Sequence, residues 1–194
     1  MGAIFLRTKA KDLLAALVFL ALWLNGSFYP LILLPPVFVK AIMREELSNI
    51  GFRTGKIVRS LVWGLFASLS VLAAYYLVYL SHNGLKIRSV DTWSIFTDAL
   101  WYPVYEEVAY RGFFLGYFSK ESDPLMVRNL VLNITQTLLF TVIHRHHVAA
   151  GFPLLLIPVF LLGFLNGFVF LKTQNIAGCV AGHSLVNVVA LLMV

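Results

Sequence analysis

The chain reads as an all-α polytopic membrane helix bundle with about six membrane segments, and three observations lead there. Of its 194 residues, 60% are hydrophobic and only 12% are charged, whereas a soluble globular domain carries about a quarter charged residues. Apolar runs recur along the whole length with short polar interruptions, so residues 1–194 read as a single integral membrane domain with no soluble appendage. Within one of the most hydrophobic stretches, Glu106 and Glu107 stand side by side. A charge at membrane depth costs roughly 2.5–3.5 kcal/mol on insertion scales, so such groups face a protein interior or a wet cavity and mark function.

The elements follow from the spacing of the polar interruptions. The first run, 13–39, follows Arg7, Lys9 and Lys11 like a signal peptide. It is too long for one and lacks a small-residue cleavage site, so it is expected to be a retained membrane segment. Asn25-Gly26, Pro30 and Pro35-Pro36 allow a tilted span, a kinked span or two half-spans. The choice governs topology: Lys and Arg divide almost evenly between the two faces with one span and very unevenly with a hairpin, which leaves orientation open.

Further runs lie at 60–80, 92–105, 129–143, 153–171 and 176–194. About 20 residues are needed to cross the hydrocarbon core, so the third is expected to continue through Glu106, Glu107 and Arg111 to Phe118 with its charges turned inward. The fourth is expected to end near His144. The net charge of +6 is concentrated in 40–59, which in a polytopic protein reports anionic headgroups and topology rather than nucleic acid. A single cysteine, Cys179, rules out an intramolecular disulfide and a multi-cysteine metal site.

Three polar constellations fall in the C-terminal half. On a helix Glu107 and Arg111 share a face as an acid-to-base ion pair. Glu106 is turned about 100° from Glu107, so the two carboxylates need not serve one partner. A second helix aligns Asn133, Thr137, Phe140 and His144 on one face, with Arg145, His146 and His147 following as interfacial residues. The third constellation, His183 and Asn187, shares a face of the last segment. Each has a plainer reading, as a neutralised acid, an interfacial anchor or an interhelical polar contact. Gly163 with Gly167, and Gly178 with Gly182, form small-xxx-small pairs that permit close helix approach.

Taken together, Glu106-Glu107-xxx-Arg111, Phe140-xxx-His144 and His183-xxx-Asn187 resemble the motifs of the CAAX prenyl protease and bacteriocin-processing family of intramembrane glutamate proteases. The likeness extends to Arg111-Gly112-Phe113, Leu138-Leu139-Phe140 and the Gly163-xxx-Gly167 stretch leading through 172–176 to His183. It spans 102–194, within a motif-bearing core of about 92–194. Tyr110 stands where phenylalanine is common, and the N-terminal half carries no matching motif.

The resemblance implies an intramembrane endopeptidase acting near the end of a membrane-associated peptide or protein, possibly a prenylated CAAX protein. Peptide hydrolysis needs an activated water, an oxyanion stabiliser and an acid for the leaving amine. By analogy the catalytic residues are Glu106 and His144 on the water and His183 and Asn187 on the scissile carbonyl. Glu107 and Arg111 support them, and Glu107 is also placed to orient His144. No cofactor is required on this reading. Zinc held by Glu106, His144 and His183 is the alternative, although no His-Glu-xx-His helix is present.

Cys179, four residues before His183, makes a cysteine–histidine pair conceivable, against its commoner role in packing. The partners expected are the bilayer and a membrane-associated substrate, with no nucleic acid. The location expected is a multi-pass position in the plasma membrane if the cell is prokaryotic. Two readings from other classes stand beside the protease: a non-catalytic membrane adaptor or bacteriocin-immunity protein, and an ion- or proton-coupled transporter, since intramembrane Glu and His chains also carry protons.

Overall fold

The computed structural model describes residue 17, residues 47–81, 89–119 and 124–193. Apart from Leu17, the 13–39 run and its one-span or hairpin alternatives lie outside the described residues. Among the described residues the regular structure is helical, with no strand.

After a 3-10 turn at Leu47–Ile50, helix α1 covers Ile57–Leu80 and ends where the Ser81 N–H bonds to the Leu77 carbonyl. A second continuous helix, α2, runs over 92–118. Asp91 starts it by accepting the Ser94 N–H at 3.0 Å and the Ser94 hydroxyl at 2.6 Å. These two bonds hold the exposed Asp91 carboxyl below the usual range and satisfy donors of the first turn.

The α2 helix is not uniformly α. It widens to π geometry at Ile95–Trp101 and again at Val108–Leu115. Pro103 gives a physical reason for the first widening. It has no N–H, and its ring would press on the carbonyl four residues back in an α-helix. Instead the Tyr102 N–H reaches the Thr97 carbonyl, five residues away. The expected continuation to Phe118 is observed, and Glu106, Glu107 and Arg111 are all buried.

Helix α3 covers Val127–Ile143 and is capped by His144, the expected end. The short α4 follows at His146–Ala149, a 3-10 turn at Pro153–Leu155 leads into α5 at Leu156–Thr173, and α6 spans Ala177–Leu192. The sharp turn between α5 and α6 is held by Asn175. Its side chain donates to the Arg53 and Gly55 carbonyls at 2.7 and 3.0 Å and accepts the Ala177 N–H at 2.9 Å.

Glycines decide which helices touch. A Cβ on Gly64 would collide with the Gly178 backbone, and one on Gly178 would collide with Ser60, so α1 and α6 run parallel in close contact. The Gly178 N–H also bonds to Ser60 Oγ at 2.9 Å. In the antiparallel α3–α5 pair, a Cβ on Gly167 would strike the Asn133 side chain and one on Gly163 would crowd Thr137. Both small-xxx-small pairs thus serve close packing. Their partners are α3 for the α5 pair and α1 for the α6 pair.

Polarity is distributed in reverse of a soluble fold. Buried positions include Glu106, Glu107, Arg111, Asn133, Gln136, Asn166 and His183, while α1 turns Val58, Leu61, Val62, Leu65, Phe66 and Leu69 outward. An exposed apolar face of that extent calls for a non-aqueous environment. By length and composition two helices can cross a membrane, Ile57–Leu80 with 24 residues and Pro153–Thr173 with 21. Ala177–Leu192 is apolar but shorter. Two of the expected segments, of about six, thus stand as candidate spans among the described residues.

Candidate active site

Glu107 is the hub of a sealed polar knot. Fully buried, it directs one oxygen, Oε1, at three donors: Arg111 Nη1 at 3.0 Å, Asn166 Nδ2 at 3.0 Å and His183 Nδ1 at 2.8 Å. The one-turn spacing on α2 places Arg111 against Glu107 as expected. The second Arg111 arm, Nη2, donates at 2.9 Å to the Gly163 carbonyl, which also accepts Gln136 Nε2 at 3.0 Å. Gln136 in turn donates to Asn133 Oδ1 and Thr137 Oγ1, and Asn133 donates to the Phe164 carbonyl. The glycine contacts between α3 and α5 bring these polar groups within bonding range.

Glu106 faces the other way, into a cavity of about 480 Å³ that Glu107 and Arg111 do not line. His144, His183 and Asn187 line the same cavity. All four proposed catalytic residues therefore border one space, although they come from α2, the end of α3, and α6. The lining also includes the apolar side chains of Val71 on α1, Val159 and Leu162 on α5, and Val186 on α6.

The two histidines are oriented differently. His144 Nδ1 lies 2.8 Å from the Phe140 carbonyl; a carbonyl only accepts, so Nδ1 carries hydrogen and Nε2 of the neutral ring is the free acceptor. His183 Nδ1 donates to Glu107, and its Nε2 is 3.6 Å from Glu106 Oε2. The Phe140 ring sits among these groups, 4.6 Å from the His144 ring, 5.8 Å from the His183 ring and 4.8 Å from the Arg111 guanidinium carbon. The aromatic residue of Phe140-xxx-His144 is thus a spacer that keeps both imidazoles and the guanidinium in register.

The adjacent carboxylates both approach the His183 ring, one at each nitrogen. Glu107 orients His183 rather than His144, because α6 brings His183 to it while the His144 Nδ1 is occupied by its own helix. The Asn187 amide is partly engaged, with Nδ2 donating at 2.7 Å to the Asp98 carbonyl in the first π segment of α2. Cys179 Sγ donates to the Asn166 carbonyl at 3.3 Å, which gives it a packing partner. Among the described residues no group of three His, Cys, Asp or Glu side chains is arranged to hold a metal ion, the Glu106, His144 and His183 set included.

Asp98, His146 and His147 also line the cavity. His147, beyond the end of α3, is pushed down to about 4 by partial burial and by the neighbouring His146 and His144, so it is neutral at pH 7. Asp98 is a lone acid inside the third apolar run, a signal that sequence reading passed over. Asn166, between Gly163 and Gly167, was likewise legible only as a polar interruption of an apolar helix.

Residues 88–189, just over half of the chain, match the family described as type II CAAX prenyl endopeptidase Rce1-like. The chain belongs to this family. Its members are membrane-embedded proteases, which agrees with the reversed polarity of the fold, and the matched segment contains every residue of the knot and the four proposed catalytic groups. No curated protein and no solved structure matches the chain.

Proposed function

We propose that the chain is an intramembrane endopeptidase that hydrolyses a peptide bond near the end of a membrane-associated peptide or protein, using a water activated by Glu106. The observation that carries this reading is the division of Glu106 from Glu107: one carboxylate borders the cavity beside two histidines and an asparagine, and the other is held by three donors.

Glu106 takes a proton from the water as its oxygen attacks the carbonyl carbon. His144 holds the same water by accepting its other hydrogen at Nε2, the atom its bond to Phe140 leaves free. The carbonyl oxygen, now an oxyanion, accepts hydrogen bonds from His183 Nε2–H and from the Asn187 amide hydrogen not committed to Asp98. Donation from Nε2 requires the His183 ring to enter this step with hydrogen on both nitrogens, Nδ1 being bonded to Glu107. The C–N bond then breaks, and the proton on Glu106 passes to the leaving nitrogen. The apolar lining residues suit an aliphatic or lipid-modified segment beside the scissile bond. No step calls for a metal ion.

The test incubates purified protein and its Glu106→Gln variant in detergent with a prenylated CAAX peptide and an unprenylated control, and identifies products by mass. Cleavage by wild type alone supports the proposal, and comparison of the two peptides shows whether a prenyl group is needed. Retention of activity in chelated, metal-analysed protein supports the metal-free route. Undiminished cleavage by Glu106→Gln would overturn the assignment of the base.

A further inference from the structure

Of the three donors on Glu107 Oε1, Arg111 and His183 belong to the sequence motifs and Asn166 does not. Yet Asn166 is fully buried and links α5 to two of the helices that carry the site, α2 and α6. From α5 its Nδ2 donates both to Glu107 Oε1 on α2 at 3.0 Å and to the Cys179 carbonyl on α6 at 3.2 Å. The Cys179 thiol returns a bond to the Asn166 carbonyl at 3.3 Å. Cys179 lies one turn before His183 on α6. Asn166 is therefore anchored to the backbone one turn from His183 while it holds the carboxylate that His183 Nδ1 contacts.

We propose that Asn166 is a positioning residue that fixes Glu107 Oε1 on His183 Nδ1, so that His183 keeps its hydrogen on Nδ1 and presents Nε2 to the cavity. This rests on the role given to His183 above. The chemistry suits an amide. It supplies two N–H donors without adding a charge beside the Arg111–Glu107 pair. Without it the Glu107 carboxylate loses a donor from Oε1, and its other oxygen, Oε2, is buried with no hydrogen-bond partner and competes for the imidazole. An aspartate at 166 keeps the shape but sets a second carboxylate against the first.

The proposal is tested with ¹⁵N-histidine-labelled full-length protein in detergent, in which the His183 resonances are assigned by their loss in His183→Gln. Wild type is expected to show one His183 species protonated at Nδ1. Asn166→Ala, and the isosteric Asn166→Asp should the alanine variant fail to fold, are expected to show a mixture of ring protonation states. On a peptide that wild type cleaves, kcat of a folded Asn166 variant falls about 10- to 100-fold, by analogy with groups that orient metal-bound histidines, while KM is unchanged. An unaltered His183 spectrum in a folded variant overturns the proposal. The spectra need no turnover, so failure of the protease reading is distinguishable: wild type then leaves the peptide uncut while the His183 resonances still respond to Asn166.

Discussion

Glu106 and Glu107 are neighbours in the chain, yet they belong to two regions built on opposite principles. The Glu107 region is a closed knot in which a buried carboxylate is matched by a guanidinium, an amide and an imidazole. The Glu106 region is a cavity of about 480 Å³ with both polar and apolar lining. The knot makes a charged centre tolerable in an apolar bundle, because a buried charge survives only when it is paired and hydrogen-bonded. The cleft leaves its groups partly uncommitted, as chemistry requires. His183 belongs to both, with one ring nitrogen in each.

The widest expected separation is between the two glutamates. Glu106→Gln and His144→Ala should each lower turnover by about 10²–10⁴-fold, the usual worth of a positioned acid–base group, with the melting temperature close to wild type. Glu107→Gln should lower the melting temperature and reduce turnover by a smaller factor, about 10- to 100-fold, through the lost orientation of His183. Equal losses of turnover from Glu106→Gln and Glu107→Gln, with both proteins folded, would erase the distinction. Next comes Arg111→Leu, which strands a buried carboxylate. It should destabilise the fold by about 3–5 kcal/mol, as removal of one partner of a buried pair does, and denaturant melts of purified protein would measure it.

Asn187→Ala removes a proposed oxyanion donor from the cleft and should lower kcat by about 10²-fold. A smaller loss is expected if His183 carries most of the oxyanion's stabilisation, so steady-state kinetics sharpens how the cleft divides that task. Cys179→Ala, on the knot side, should leave turnover nearly unchanged. Abolished cleavage by a folded Cys179→Ala protein would restore a nucleophilic cysteine.

The smallest effect is expected outside both regions. Asp91→Ala removes the cap of α2 and should lower the melting temperature slightly at neutral pH. Because the folded carboxyl is held below its usual range, its contribution is present above the unfolded value and is lost as pH falls through the folded one. The difference between variant and wild type should therefore vanish in strong acid.

Much of this was legible in the chain because helical periodicity is local. The ends of α3 near His144 and of α2 near Phe118, the inward turn of Glu107 and Arg111, and the Asn133–Thr137–Phe140 face all follow from fixed residue spacing. The same spacing paired Glu107 with Arg111. It failed where the helix itself departs from α geometry and where two distant helices choose partners. The π turns around Glu106 and Glu107 were not foreseen, nor was Asn187 reaching the Asp98 carbonyl. Asn166 could be seen only as an isolated polar residue, since its worth depends on a carboxylate 59 positions away.

By itself the sequence determined a membrane-type helical chain, its family motifs and the candidate groups, because composition and period are properties of consecutive residues. Only the tertiary structure decided which carboxylate is held and which borders the cavity, and that Glu107 orients His183 while His144 is oriented by its own backbone. Those outcomes depend on how closely α5 and α6 approach α2. Glycines seat α5 on α3 and α6 on α1, and a missing side chain on one helix is meaningful only against the atoms of another.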